Sequence, residues 1–175
     1  MKLLSSGANR IRPVSLAVTL LLFATLAVFT GCEQKEPGKV GGKAPGISGV
    51  DIHGEYVSLS QFKGKVVVLI FWTKSCCGEK IKELEPYYKL NRDKGLAILG
   101  INENNSKEIV ESYSKANGLT FSMQTDEMGM AAREYGVFGF PTVFIIDREG
   151  VIRKKILGDI NIEQLNKVTV QFLTK

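Results

Sequence analysis

The sequence predicts an α/β domain built on a mixed central sheet with helices on both faces. Three observations carry that prediction. Residues Val66–Trp72 form an unbroken apolar run rich in β-branched side chains, the mark of a strand covered on both faces. Leu96–Ile101 and Thr142–Ile146 repeat the pattern. The segments between and after these runs return apolar residues at helical spacing, so strands and helices alternate.

The first helical pattern follows Trp72 and places Ile81, Leu84 and Tyr88 at i, i+3 and i+7. Pro86 falls inside it and should kink or break it, because a helix interior needs the N–H that proline lacks. After the second strand, Ile109, Tyr113 and Ala116 mark another helix, with Ser106 as its candidate cap and Gly118 beyond its end. Residues 128–135 read as a short helix. Val151–Leu157 carries Arg153, Lys154 and Lys155 between apolar residues and suits an edge strand, where lysine discourages pairing with another sheet. Asp147-Arg148-Glu149-Gly150 turns Thr142–Ile146 into that strand as a hairpin. Ile162, Leu165, Thr169 and Phe172 line a C-terminal helix capped by Asn161. A parallel pair joined by a crossover helix, followed by an antiparallel hairpin, makes the sheet mixed.

Ahead of this domain lies an address. Residues 1–31 hold Lys2, Arg10 and Arg12, no acid, and an apolar run from Val14 to Phe29. The run is short for a spanning helix, which needs roughly 20 residues, and reads as a secretory signal. It ends Phe29-Thr30-Gly31-Cys32, which resembles the lipobox of bacterial lipoproteins. That likeness implies cleavage before Cys32, acylation of Cys32, and a lipid-anchored protein on the extracytoplasmic (periplasmic) side of the cell envelope. An ordinary signal peptide or an uncleaved anchor, with Cys32 incidental, is the alternative. Residues 32–44 read as a flexible tether rich in Gly, Lys and Glu, and residues 45–175 as the domain.

Composition excludes several classes. The chain has 175 residues; its three cysteines are too few for a disulfide scaffold or a structural zinc site, and its single histidine argues against a His-rich metal centre or a Ser–His–Asp hydrolase. Loss of residues 1–31 removes three of the five net positive charges. The remaining +2 gives no electrostatic case for nucleic acid.

Several segments carry a family likeness. Phe71-Trp72 followed at once by cysteine and a helix resembles the thioredoxin superfamily, as does Phe138-Gly139-Phe140-Pro141-Thr142 ahead of a strand. Gly42-Lys43-Ala44-Pro45, Val57-Ser58-Leu59-Ser60-Gln61-Phe62-Lys63-Gly64-Lys65 and Phe144-Ile145-Ile146-Asp147-Arg148-Glu149-Gly150 resemble the TlpA/ResA-like thiol–disulfide oxidoreductases of the redoxin (AhpC/TSA) grouping. The resemblance implies a thioredoxin fold with an N-terminal β-hairpin extension and no cofactor. It also implies protein clients bearing thiols or disulfides, often in cytochrome c maturation, and an external thiol reductant. Pro141 should be cis, with Phe140 and Thr142 beside the cysteines and presenting backbone to a client chain.

The family's Cys-x-x-Cys pair is missing. The residues are Thr73-Lys74-Ser75-Cys76-Cys77-Gly78-Glu79-Lys80. Aligned from the strand, Cys76 takes the attacking position and Glu79 the resolving one. Aligned from the helix, Cys77-Gly78 and Glu83-Leu84 match better and the resolving position is Lys80. A helix N-terminus favours thiolate, and Lys74 and Lys80 add positive charge that Glu79 opposes. Two catalytic outcomes stay open. In one, Cys76 attacks and Cys77 resolves, although Cα atoms about 3.8 Å apart resist a bridge that prefers about 4.4–6.8 Å. In the other, one cysteine acts alone and an external thiol resolves it. Thr73-x-x-Cys76 also resembles part of a peroxiredoxin motif, but Leu69 stands where its proline belongs and no arginine accompanies Gly139-Phe140-Pro141. A redox-inactive binding module or a soft-metal binder at the dithiol is the contrasting class.

Other residues are weighed more briefly. Trp72 either lines the site or closes the core. Glu79 and Glu83 are the candidate acid–base groups, because the strand Val66–Phe71 offers no carboxylate. His53 reads as a surface residue, Asp126 and Glu127 as a solvated loop, and Met123, Met128 and Met130 as packing residues. No resident metal is expected.

Overall fold

A computed structural model describes residues 36–159 and 161–173. The expected signal and Cys32 lie outside the described residues. In chain order the elements are β1 (Ser48–Val50), β2 (Tyr56–Ser58), β3 (Val66–Trp72), α1 (Lys74–Lys82), α2 (Leu84–Asn91), β4 (Leu96–Asn102), α3 (Lys107–Ala116), β5 (Ser122–Thr125), α4 (Met130–Glu134), β6 (Thr142–Ile146), β7 (Ile152–Leu157) and α5 (Ile162–Leu173).

The main sheet has the order β5-β4-β3-β6-β7. β3 pairs parallel with β4 and antiparallel with β6, so it is central and buried along its whole length. Alternate β3 side chains feed two cores. Val66, Val68, Ile70 and Trp72 pack with Ile81, Leu84, Val110 and Leu165, so α1, α2, α3 and α5 cover one face. Val67, Leu69 and Phe71 pack with Ala132, Tyr135, Ile47 and Val57, so α4 and the N-terminal segment cover the other. β1 and β2 form the expected hairpin.

β5 is absent from the sequence reading. It is four residues long, and one of its two buried side chains is polar. Gln124 turns its amide inward and donates to the carbonyls of Gly49 (3.2 Å) and Val57 (2.8 Å), pinning the hairpin to the sheet edge. An apolar-periodicity search passes over such a strand.

The helices follow the pattern with local shifts. The chain breaks between α1 and α2 at Glu83, three residues ahead of Pro86. Proline thereby falls in the first turn of α2, where its missing N–H has no helical partner to lose. In α3 the buried side chains are Val110 and Ser114, while Ile109 is exposed. The inward face is therefore Val110, Ser114 and the predicted Tyr113, without Ile109, and the Ser114 hydroxyl satisfies itself on the Leu119 carbonyl. Asn161 caps α5 as expected, its side-chain oxygen accepting from the Gln164 N–H. Asp126 is no mere loop residue, because its two oxygens accept from the N–H groups of Met130 and Ala132 and start α4.

The segment read as a flexible tether is also different. The compact unit begins at Glu36, ahead of the expected boundary at residue 45. Gly41 N–H donates to the Ile152 carbonyl (2.8 Å), Ile152 N–H to Gly42, and Ala44 N–H to Gly150. Gly38 has φ +56°, and a Cβ there would stand 2.3 Å from the Tyr135 carbonyl oxygen, so only glycine fits this approach. Backbone pairing, invisible to composition, docks residues that read as solvated.

Candidate active site

The C-terminal ends of β3 and β4 and the start of β6 lie side by side, since Trp72 is in register with Asn102 and Phe71 with Thr142. α1 starts immediately after β3. Thr73 is its N-cap, with extended backbone, but its hydroxyl does not cap the helix. That hydroxyl instead donates to Cys76 Sγ at 3.1 Å. The helix is served from outside, by Asn105 Oδ1 accepting from the Lys74 N–H at 3.2 Å.

Cys76 and Cys77 are joined in a disulfide with Cα atoms 3.8 Å apart. Their environments differ sharply. Cys76 is exposed, whereas Cys77 turns into the core with 1% of its surface accessible. Helical geometry explains this, because Cys77 shares the inward face of α1 with Ile81 four residues on. Solvent therefore reaches Cys76 and not Cys77. Both sulfurs lie in the first turns of α1, where unpaired N–H groups and the helix dipole favour negative charge.

Pro141 follows a cis peptide bond, as expected, and is half-buried like Phe140. Thr142 differs from the expectation of a client-facing group. It is fully buried and its hydroxyl donates to the Gly139 carbonyl at 2.7 Å, so it shapes the loop from beneath. Trp72 is likewise fully buried and closes the core. Its ring lies 5.3 Å from that of Tyr113, whose hydroxyl donates to the Gly78 carbonyl of α1. Burial and the nearby Glu79 charge push the Tyr113 phenol up to about 12, so it stays a donor.

The two candidate acid–base groups do not gather at the sulfurs as buried acids. Glu79 is exposed and pairs with Lys82, and Glu83 pairs with Lys80 at 3.3 Å. The buried carboxyl at this end of the sheet is Glu103, which the sequence reading missed. It follows β4 directly, and its N–H donates to the Trp72 carbonyl at 2.9 Å. Burial, a hydrogen bond with Asp126 and the Asp126 charge push Glu103 up to about 8. The available signal was position: Asn102-Glu103 ends a buried parallel strand, the end at which open α/β sheets place their sites.

Polar atoms left without partners mark the same place. Among the described residues, the buried side-chain atoms lacking a hydrogen bond are Trp72 Nε1, Asn102 Nδ2 and Oδ1, and Glu103 Oε1. All belong to the ends of β3 and β4. No group of three or more His, Cys, Asp or Glu side chains suited to a metal ion occurs among the described residues. Met123 is core as expected, while Met128 and Met130 are exposed rather than packed, and His53 is on the surface.

Glu103 sets a pH dependence of stability. A carboxyl whose folded pKa is raised favours the folded state only while protonated. That contribution is complete below the ordinary glutamate range and is lost as pH rises through about 8. The thermal midpoint of Glu103→Gln relative to wild type should therefore climb between pH ~5 and pH ~9, read by thermal unfolding at each pH.

Comparison with known proteins agrees with this picture. Residues 40–155 match the model of the AhpC/TSA family. The chain is 30% identical over 163 residues to sporulation thiol-disulfide oxidoreductase A of Bacillus subtilis, covering 88% of this chain and 95% of that protein. It is 32% identical over 141 residues to the thiol-disulfide oxidoreductase ResA of Bacillus thuringiensis, covering 79% and 80%. The crystal structure of the thioredoxin domain of a thiol-disulfide oxidoreductase from Bacteroides vulgatus superimposes with a TM-score of 0.66 at 29% identity, covering 74% of this chain and 97% of that one.

Proposed function

The chain belongs to the AhpC/TSA family and is a thiol–disulfide oxidoreductase of the ResA type, and from that premise we propose that it exchanges disulfides with protein clients through Cys76 and Cys77. The observation that carries the reading is the asymmetry of the pair: one sulfur exposed, its neighbour buried, both in the first turns of α1. Cys76 attacks or is attacked, and Cys77 resolves from within. Phe140 and Pro141 offer the adjacent half-exposed backbone on which a client chain lies. Glu79 and Glu83 modulate the charge around α1. The protein works outside the cytoplasm, tethered to the membrane through acylated Cys32, with an external thiol as its redox partner.

The thiol count tests the pair. Mild oxidation of the reduced Cys32→Ser protein, which keeps only Cys76 and Cys77, should remove two protons within a monomer and give no covalent dimer. Appearance of a dimer or a mixed disulfide instead would mean that a single thiol reacts. The anchor has its own test, since Cys32→Ser should release the protein from membranes on fractionation, and unchanged membrane association counts against acylation. A second reading, peroxidase chemistry at Cys76 alone, is favoured by the Thr73–Cys76 hydrogen bond. It requires a sulfenic acid on Cys76 after peroxide treatment of Cys77→Ser.

A further inference from the structure

Large apolar side chains stand exposed around α4 and the loop that leads to Pro141. Phe138, three residues ahead of the cis proline, is 82% exposed. It is held outward rather than left loose, because Lys155 Nζ stands 5.6 Å from its ring centroid and donates to the Gly136 carbonyl at 2.9 Å. Leu157 is exposed at the end of β7, in register with Thr142, and a Cβ at Gly139 would lie 3.3 Å from its Cδ1. Met128 and Met130 are exposed at the other end of α4, a helix of only five residues, where Arg133 donates to the Met128 carbonyl. Grouped exposed apolar side chains mark a contact surface.

Where the chain enters the domain selects the occupant. Pro37 packs on Gly136, its Cβ 3.2 Å from a Cβ built there, and Gly38 approaches the Tyr135 carbonyl. The domain is therefore joined to the preceding segment at α4 and Phe138, and Cys32 is only five residues ahead of Pro37. Resting on the reading of Cys32 as the acylated anchor, we propose that Phe138, Leu157, Met128 and Met130 form a membrane-contact surface. These side chains enter the boundary between headgroups and acyl tails, so the domain takes one orientation on the bilayer instead of tumbling about its anchor. An aromatic ring is at home at that depth, and the flexible methionines adapt to the uneven lipid surface.

The charges nearby make the contact apolar in kind. Lys39 pairs with Glu36 at 2.8 Å, and exposed Arg133 is followed by exposed Glu134, so no single sign prevails and no anionic lipid is required. A client chain accounts for the surface less well. α4 covers the face of the sheet opposite α1, so a client engaged at Cys76 would have to cross the end of the sheet to cover Met128 and Met130. Thr142 ties the surface to the cysteines, being in register with Leu157 on one side and with Phe71 on the other. Docking thus holds Cys76 beside the bilayer, presented to disulfides displayed at its surface.

The test reads tryptophan emission from the acylated protein, isolated from bacterial membranes and reconstituted in phosphatidylcholine vesicles. Bromine on the acyl tails quenches tryptophan on contact, and Trp72, fully buried, gives a constant background. Leu90, 69% exposed on α2, is the control, since α2 runs into the Lys94 turn at the opposite end of the sheet. The added emission of Phe138→Trp should fall at least about twofold in brominated relative to plain vesicles, and that of Leu90→Trp by less than about a tenth. Should Phe138→Trp fail to fold, Met130→Trp gives the same reading from α4. Equal quenching of both positions, or none at Phe138→Trp, overturns the proposal. Emission that shifts to the blue only in a cross-linked dimer, or only with a client trapped on Cys76 in Cys77→Ser, assigns the surface to a second copy or to the client and also overturns it. A wild-type protein that fails to float with plain vesicles defeats the anchor reading itself, and the docking with it.

Discussion

Cys76→Ser should abolish exchange with a protein disulfide, lowering the rate by at least about 10³-fold, because a serine hydroxyl at neutral pH cannot replace a thiolate nucleophile. Cys77→Ser should behave differently. Cys76 remains exposed on α1, so the first attack still occurs, but the resolving sulfur is gone. A Cys76–client mixed disulfide should therefore accumulate, visible as a mass increase by intact-protein mass spectrometry and reversed by added thiol. The expectation rests on accessibility, since Cys77 presents only 1% of its surface to solvent. Trapping through Cys77 in Cys76→Ser, with none through Cys76 in Cys77→Ser, would reverse the assignment.

Tyr135→Ala should be the most damaging substitution on the face of the sheet opposite α1. The side chain is fully buried, with its ring 5.4 Å from Phe71 and 5.0 Å from Phe144, and its hydroxyl donates to the Pro45 carbonyl at 2.7 Å. Removing a buried aromatic ring costs about 3–5 kcal/mol, a large part of the stability of a domain this size. Tyr135→Phe keeps the ring and loses one hydrogen bond, for about 1 kcal/mol. Urea titration of the two variants separates ring from hydroxyl. A Tyr135→Ala loss below about 1 kcal/mol would mean that this face is not the second core.

Much of this architecture can be read from residue order, and the exceptions share a cause. Val66–Trp72 and Thr142–Ile146 announce themselves because both faces of each strand are apolar. The cis bond at Pro141 and the cap at Asn161 follow from local chemistry confined to a few residues. What escapes a linear reading depends on partners far away in sequence. Gln124 is buried because two hairpin carbonyls await its amide. Arg148 reads as a turn residue, yet its guanidinium gathers the carbonyls of Gly64, Lys94, Phe172 and Leu173. Glu103 looks like one more polar residue in Asn102-Glu103-Asn104-Asn105 until the strands place it beside Trp72. The adjacent cysteines were plain from the start. That one faces solvent and the other the core is a property of the turn of α1, and the different tasks proposed for them rest on it.

The docking of residues 37–44 onto Tyr135, Gly136 and the start of β7 sets how far the domain can reach. With the lipid anchor proposed at Cys32, Glu36 lies four peptide steps away, a leash of at most about 14 Å. A domain held that close patrols a layer hardly thicker than itself. Under the proposed anchoring its thiols would meet membrane-bound clients at high effective concentration and would not reach a cysteine displayed far from the bilayer.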